Sequence, residues 1–170
     1  MSSPSSWLVQ HAGLLPRNGR ALDVASGRGR HALWLAEHGL TTVAVDRDAD
    51  AMRALNEAAR ERHLPLRIEV RDLEGGATPF HSSTFDVIVV VHYLHRPLFP
   101  ALIEALAPNG LLLYETFTTA QAARGKPTNP DFLLKPGELL DLVRPLEILA
   151  SREGDFEDRM VASVLARRTA

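Results

Sequence analysis

The sequence predicts an α/β fold, a doubly wound and mostly parallel seven-stranded sheet that closes with an antiparallel hairpin. Apolar runs of strand length alternate with segments of helical periodicity from residue 21 to residue 117, the pattern of a parallel sheet with crossover helices. The run FDVIVVV at 85–91 is apolar at all but one position, as a central strand covered on both faces must be. Two last runs, 146–153 and 160–167, are separated only by an acidic, glycine-containing turn, which makes them a hairpin.

Local chemistry accounts for each element in turn. Residues 5–15 form a short helix with Ser5 or Ser6 as cap and Trp7, Leu8, His11 and Leu15 along one face, ended by Pro16, Asn18 and Gly19. The stretch ALDVASGRGRHALWLAEHG at 21–39 reads as strand, tight glycine turn and helix. A β-branched strand at 41–45 ends in Asp46, and an alanine-rich helix at 48–62 has an acidic start that suits its dipole. A shorter strand, 65–70, leads to Asp72 and Leu73, while the Gly-, Pro- and Ser-rich stretch 74–84 has no regular structure. Pro97 sits in the first turn of a helix whose stripe is Leu98, Leu102, Ile103 and Leu106. Pro108, Asn109 and Gly110 then turn into a fifth strand at 111–117. Residues 118–135, with Gly125, Pro127, Pro130 and few apolar side chains, are expected to be a mobile lid loop, and 136–143 a short helix.

Composition narrows the function. A chain of 170 residues with 45% hydrophobic and 24% charged residues fills one core, so a single domain is expected over 1–170. A net charge of -2 leaves no electrostatic footprint for nucleic acid or an anionic membrane, and Arg167 and Arg168 read as a solvated terminus. Zero cysteines exclude disulfides and thiolate metal sites. The start MSSPSSWLVQ lacks a basic region followed by an apolar core, and no run is long enough to span a bilayer. The expectation is a cytoplasmic monomer or weak homodimer, with no nucleic-acid or membrane partner.

The glycine turn is a ligand site by its own chemistry. Gly27 and Gly29 let a ligand approach the main chain, and the helix behind them offers unpaired N–H donors. The turn satisfies the dinucleotide fingerprint with Ala32 last and Asp46 at about the distance of a ribose-binding acid. Asp23, however, stands just before the turn, where its carboxylate would oppose a pyrophosphate. It suits an ammonium group. S-adenosylmethionine has one, together with a carboxylate for the helix start, a ribose diol for Asp46 and an adenine amine for a third acid, Asp72. Parallel strands put the three acids on one edge of the sheet.

Several motifs add a family resemblance. DVASGRG, VAVDRD, VRDLE and FDVIVVVHYLH resemble, in order, the first four motifs of class I S-adenosylmethionine-dependent methyltransferases, and ALAPNGLLLYETF resembles the segment leading into the fifth strand. GRGRHALWLAEHG, YETF and FLLKPGELL look most like the tellurite-resistance-type branch of small bacterial methyltransferases. The resemblance implies a Rossmann-like methyltransferase fold, S-adenosylmethionine as cofactor and S-adenosylhomocysteine as product. One departure is Ala25, where the family usually has glycine; a methyl there requires the backbone to stay at negative φ. The absence of Asn-Pro-Pro-Tyr after the fourth strand argues against transfer to nucleic-acid bases.

On this reading Asp23, Ala25, Ser26, Gly27 and Gly29 cradle the methionine part of the cofactor. Asp46, with Arg47 beside it, takes the ribose, Asp72 and the Leu73 N–H take the adenine, and His92 borders the cofactor. Each acid also has a plainer reading: Asp23 as a brace of the turn, Asp46 as a helix cap, Asp72 as a solvated turn residue. His92, Tyr93, His95 and Arg96 follow the fourth strand, where methyl and acceptor meet. Either histidine is a candidate base, Tyr93 a pocket wall and Arg96 a holder of an anionic acceptor. In the plainer alternative His92 packs on the cofactor, Tyr93 is partly core and Arg96 is a surface charge. No acids stand beside the histidines to complete a metal site. Glu115 is a secondary candidate, and Trp7 and His11 are read as helix packing. The expected chemistry is methyl transfer to a small molecule, of anionic or chalcogen type, with two alternatives: a non-catalytic S-adenosylmethionine-binding module and an NAD-binding oxidoreductase domain.

Overall fold

A computed structural model describes residues 2–75 and 80–170; the part of the expected loop at 76–79 lies outside the described residues. Its elements are α1 (Ser6–Gln10), β1 (Arg20–Val24), α2 (Arg30–Glu37), β2 (Thr41–Asp46), α3 (Ala49–Glu61) and β3 (Leu66–Val70), followed by β4 (Phe85–Val91), α4 (Phe99–Ala105), β5 (Leu106–Phe117), α5 (Glu138–Leu142), β6 (Glu147–Phe156) and β7 (Arg159–Arg167). The seven strands order as β3-β2-β1-β4-β5-β7-β6. All neighbours are parallel except β7, which runs antiparallel to both β5 and β6. The chain starts in the middle of the sheet, builds outward to β3 and returns to β4. The order therefore reverses between β1 and β4, and a crevice opens at their carboxyl ends.

Two apolar layers sandwich the sheet. Trp7, Leu8 and Leu35 pack with Ala21, Val87, Val89 and Leu113 on one face, which Ala32, Leu33, Met52 and Leu55 extend over Ala44. Phe99, Leu102, Leu139 and Val143 cover Leu22, Ile88, Val90 and Tyr114 on the other. Residues 87–90 of β4 have no exposed surface, which accounts for its apolar run.

The expected elements are present with shifted ends. The N-terminal helix stops at Gln10 and continues only as a 3-10 turn over Ala12–Leu14, with Ser5 Oγ accepting the Trp7 N–H at 3.2 Å. Leu106 begins β5 rather than closing the helix stripe, and the turn at 108–110 is a bulge inside that strand, where pairing with β4 jumps from Leu106 to Leu111. The hairpin turn is Glu157-Asp158, both at positive φ of 56° and 61°, so Gly154 lies within β6 and not in the turn. Arg167 and Arg168 are not a free terminus. Arg167 pairs with Glu147 at 2.9 Å, and the Arg168 guanidinium donates to the carbonyls of Glu104 and Leu106 at 2.9 and 2.7 Å, closing the end of α4.

The segment expected as a mobile lid is built of two 3-10 turns, Thr119–Ala123 and Pro130–Phe132, and is tied down along its length. Leu134 pairs with Phe117 and Thr119 through the backbone, and Gln121 Oε1 accepts the Met160 N–H at 2.8 Å. Arg124 meets Asp155 at 2.7 Å. Leu133 and Leu134, at 2% and 0% exposed, anchor it in the core.

Candidate functional site

The glycine turn and the end of β4 face one another across the crevice. Asp23 lies on the same sheet face as Ala21 and Ala44, beneath the first turn of α2, and is 1% exposed. Its Oδ2 is buried without a hydrogen-bond partner among the described residues. Burial pushes its carboxyl up to about 8, against opposing help from the Ala32 N–H and Arg30. A buried carboxyl oxygen left without a donor, immediately before a ligand-type turn, is a fitting acceptor for a cation and the wrong surface for a pyrophosphate.

The turn is shaped before any ligand arrives. Gly27 N–H donates to Asp46 Oδ2 at 2.8 Å, Asp48 N–H to Asp46 Oδ1 at 2.9 Å, and Ser26 N–H to the Val45 carbonyl at 3.1 Å. Asp48, and not Asp46, caps α3, accepting from Asp50 and Ala51. At Gly27, φ is 54° and an added Cβ would meet nothing within 4 Å, so the main chain here borders open space. At Gly29, φ is 81° and a Cβ would lie 2.4 Å from Leu55 Cδ1, so this glycine lets α2 and α3 pack closely.

Ala25 departs from expectation: its φ is 54°, in the left-handed region. A side chain there costs about 1–2 kcal/mol, part of which glycine's greater unfolded-state freedom offsets. Ala25→Gly is therefore expected to stabilise the protein by about 0.5–1 kcal/mol, read as a rise of roughly 2–3 °C in Tm by calorimetry.

Past Asp46 the edge continues into a cavity of about 70 Å³ lined by Ala25, Asp46, Arg47, Arg71, Asp72, Leu73, Glu74 and Tyr93. Five residues expected from the sequence to hold the cofactor thus meet Tyr93, expected on the acceptor side. The Tyr93 hydroxyl donates to Glu74 Oε2 at 3.3 Å, and burial with the Glu74 charge raises its pKa, so the phenol stays protonated. His95 Nδ1 lies 3.4 Å from Glu74 Oε1, so Tyr93 and His95 share one carboxylate. The Asp72 carboxylate is exposed and accepts the Glu74 N–H at 3.0 Å.

On the other side of the crevice His92 has φ 58° and stacks on Phe117, ring centroids 4.5 Å apart. Its N–H donates to the Glu115 carbonyl at 2.8 Å. Burial lowers its pKa to about 4, with Arg159 and Arg30 adding and Glu115 and Glu157 opposing. His92 is neutral at pH 7 and a weak base. Arg96 is committed elsewhere: its Nε and Nη2 grip Glu138 at 2.6 and 3.0 Å, and it donates to the carbonyls of Asp131 and Leu133. The arginine expected to hold an anion instead ties the loop after β4 to the start of α5. Glu115, 7% exposed, is the centre of a polar cluster with Ser5, Ser163 and Arg152.

Sequence reading missed Tyr114, whose hydroxyl donates to the Tyr93 carbonyl at 2.6 Å and braces the loop after β4. It also missed Glu74, Arg71, Arg30 and Arg159. Tyr114 carried a signal in YETF and Arg30 stood within the glycine-turn motif; Arg159 carried none, because only the pairing of Phe117 with Val161 sets the start of β7 near the end of β4.

A larger cavity, about 710 Å³, opens over the amino-terminal halves of β1–β3, lined by Arg20, Thr41, Val43, Leu66, Arg67 and Phe80 among others. It meets the carboxyl end of β3 at Glu69 and Arg71, the latter shared with the smaller cavity, and gathers none of the three acids. Among the described residues no group of three or more His, Cys, Asp or Glu could hold a metal, and no helix is long and apolar enough to cross a membrane.

Comparison with known proteins supplies a family and a fold. The profile of a family described as a methyltransferase domain matches residues 21–110. Trans-aconitate 2-methyltransferase from Sinorhizobium fredii (strain NBRC 101917 / NGR234) is 32% identical over 124 residues, covering 72% of this chain and 42% of that protein. The putative methyltransferase YqeM from Bacillus subtilis (strain 168) is 25% identical over 120 residues, covering 64% and 47%. The chain spans under half the length of either relative. In fold alone it is similar to TehB from Haemophilus influenzae, with a TM-score of 0.83 at 20% identity, covering 99% of this chain and 64% of that one. An S-adenosylmethionine-dependent methyltransferase from Methanosarcina mazei gives 0.78 at 18% identity, covering 99% of both chains.

Proposed function

The chain belongs to the methyltransferase domain family; from that premise we propose that it uses S-adenosylmethionine as its cofactor and transfers the methyl group to a small anionic acceptor. The observation that carries the acceptor class is Arg30, which opens α2 directly after the glycine turn, with Arg159 at the start of β7 adding positive charge felt at His92; neither lies within 4 Å of a carboxylate among the described residues. Arg30 spends one donor on the Ser3 carbonyl at 2.9 Å, and the rest of its fork is available to an anion.

The cofactor supplies an activated methyl on a sulfonium. Asp23 would take the ammonium, the start of α2 the carboxylate and Asp46 the ribose diol, with the adenine between Leu73, Asp72 and Tyr93. His92, held on Phe117, would form the wall beside the reacting centre. An anionic nucleophile needs no base, in keeping with a histidine whose pKa lies near 4. The trans-aconitate relative is named for a carboxylate acceptor, which supports the same class here.

Incubation with methyl-labelled S-adenosylmethionine and a set of small carboxylates and oxyanions should release S-adenosylhomocysteine with at least one of them. Arg159→Ala should raise the acceptor KM about tenfold or more, the worth of one charge-assisted hydrogen bond, with cofactor affinity unchanged. Turnover confined to neutral amines or alcohols would defeat the assignment.

A further inference from the structure

We propose that residues 3–7 form a strap that walls off the methionine end of the cofactor site, and that Glu115 is the residue that positions it. This rests on the cofactor assignment above.

The strap is held in two ways. Trp7 and Leu8, 4% and 1% exposed, dock α1 on the sheet by apolar burial, and Trp7 Nε1 donates to the Val164 carbonyl at 3.1 Å. Those contacts would suffice to seat a five-residue helix. A second set of contacts lies mostly on its amino-terminal side and is polar. Ser5 N–H donates to His31 Nε2 at 3.0 Å, Ser5 Oγ donates to Glu115 Oε1 at 2.9 Å, and the Ser3 carbonyl accepts from Arg30 at 2.9 Å. Glu115 Oε2 accepts from Ser163 Oγ and from Arg152 at 3.2 Å, and Arg152 in turn reaches Ser6 Oγ at 3.4 Å. The Arg152 guanidinium lies 4.0 Å from the Phe156 ring centroid and 4.9 Å from that of Trp7.

Burying an ion pair among serines is an expensive way to stabilise a fold, and apolar packing would do as well. What the polar contacts add is register. They fix the chain entering α1 to the two residues directly after Gly29, at the start of α2, and to the end of β5 beside His92. The strap therefore spans from the helix that would receive the cofactor's carboxylate to the strand whose Phe117 backs His92. With three donors on its carboxylate, Glu115 is engaged as a positioning residue and not as a base.

The test is titration with S-adenosylhomocysteine, followed by Trp7 fluorescence in a Trp34→Phe background. Binding should change the emission of Trp7, which a strap remote from the site would not do. Glu115→Gln should weaken binding about tenfold and raise the KM for S-adenosylmethionine by a similar factor, with kcat changed less than about twofold. Ser5→Ala, which spares the Glu115–Arg152–Ser163 contacts, should shift both in the same direction about threefold, and it decides the question if Glu115→Gln does not fold. Folded variants that bind as tightly as the parent, with silent Trp7 fluorescence, overturn the strap. Absence of any binding by the parent overturns the cofactor assignment beneath it.

Discussion

Asp23→Asn is expected to weaken S-adenosylmethionine binding on the order of 100-fold and to abolish a proton release that accompanies binding to the parent protein. Burial holds the free carboxyl neutral up to about pH 8, so at pH 7 most molecules carry a proton there. An ammonium group delivered to the partnerless Oδ2 favours the carboxylate, and the proton leaves. The sign follows directly. Parent affinity climbs as pH rises toward 8 and levels off above it, while the amide variant has no titrating group at this position and shows no such climb. Calorimetry in two buffers of different ionisation enthalpy reads the effect as close to one proton released per cofactor at pH 7. The affinity loss corresponds to about 3 kcal/mol, the size of a buried charge-assisted interaction. An unchanged affinity with no proton release would mean that Asp23 merely braces the turn.

Asp46→Ala is expected to weaken cofactor binding on the order of 100-fold by a different route. Two hydrogen bonds from the ribose diol to a carboxylate are worth about 3 kcal/mol together. The same carboxylate already holds the Gly27 and Asp48 N–H groups at 2.8 and 2.9 Å, so its loss also slackens the turn. Roughly 1–3 kcal/mol of stability should go with it. Asp46→Asn is intermediate: its single carbonyl oxygen can keep one of the two backbone bonds but cannot also serve both hydroxyls, so it should lose less stability than the Ala variant while still losing affinity. Thermal melts and ligand titration on both variants give the comparison. Equal affinity in parent and Ala variant would remove Asp46 from the site.

The sheet and the edge that gathers the three acids were legible in the sequence because both rest on local pattern. Strand periodicity marked β1 to β5, and strand ends in a parallel sheet share an edge, so Asp23, Asp46 and Asp72 could be placed there without coordinates. The acceptor side was less legible because long-range pairing decides it. Arg96 looked like a free cation until Glu138, distant in sequence, was brought to it at 2.6 Å, and the charge of Arg159 bears on His92 only through the β5–β7 register. Ala25 misled because nothing local shows that the turn requires a φ of 54°. Segment 118–135 read as loose since its anchors, Leu133 and Leu134, are too few to form a periodic signal.

A crystal structure with S-adenosylhomocysteine bound would show which part of the sheet holds the cofactor. The expected placement has the ligand's ammonium within about 3 Å of Asp23 Oδ2, its ribose on Asp46 and its adenine beside Leu73 and Tyr93. Ligand density in the 710 Å³ groove over Arg20 and Arg67, with the strand ends empty, would contradict it.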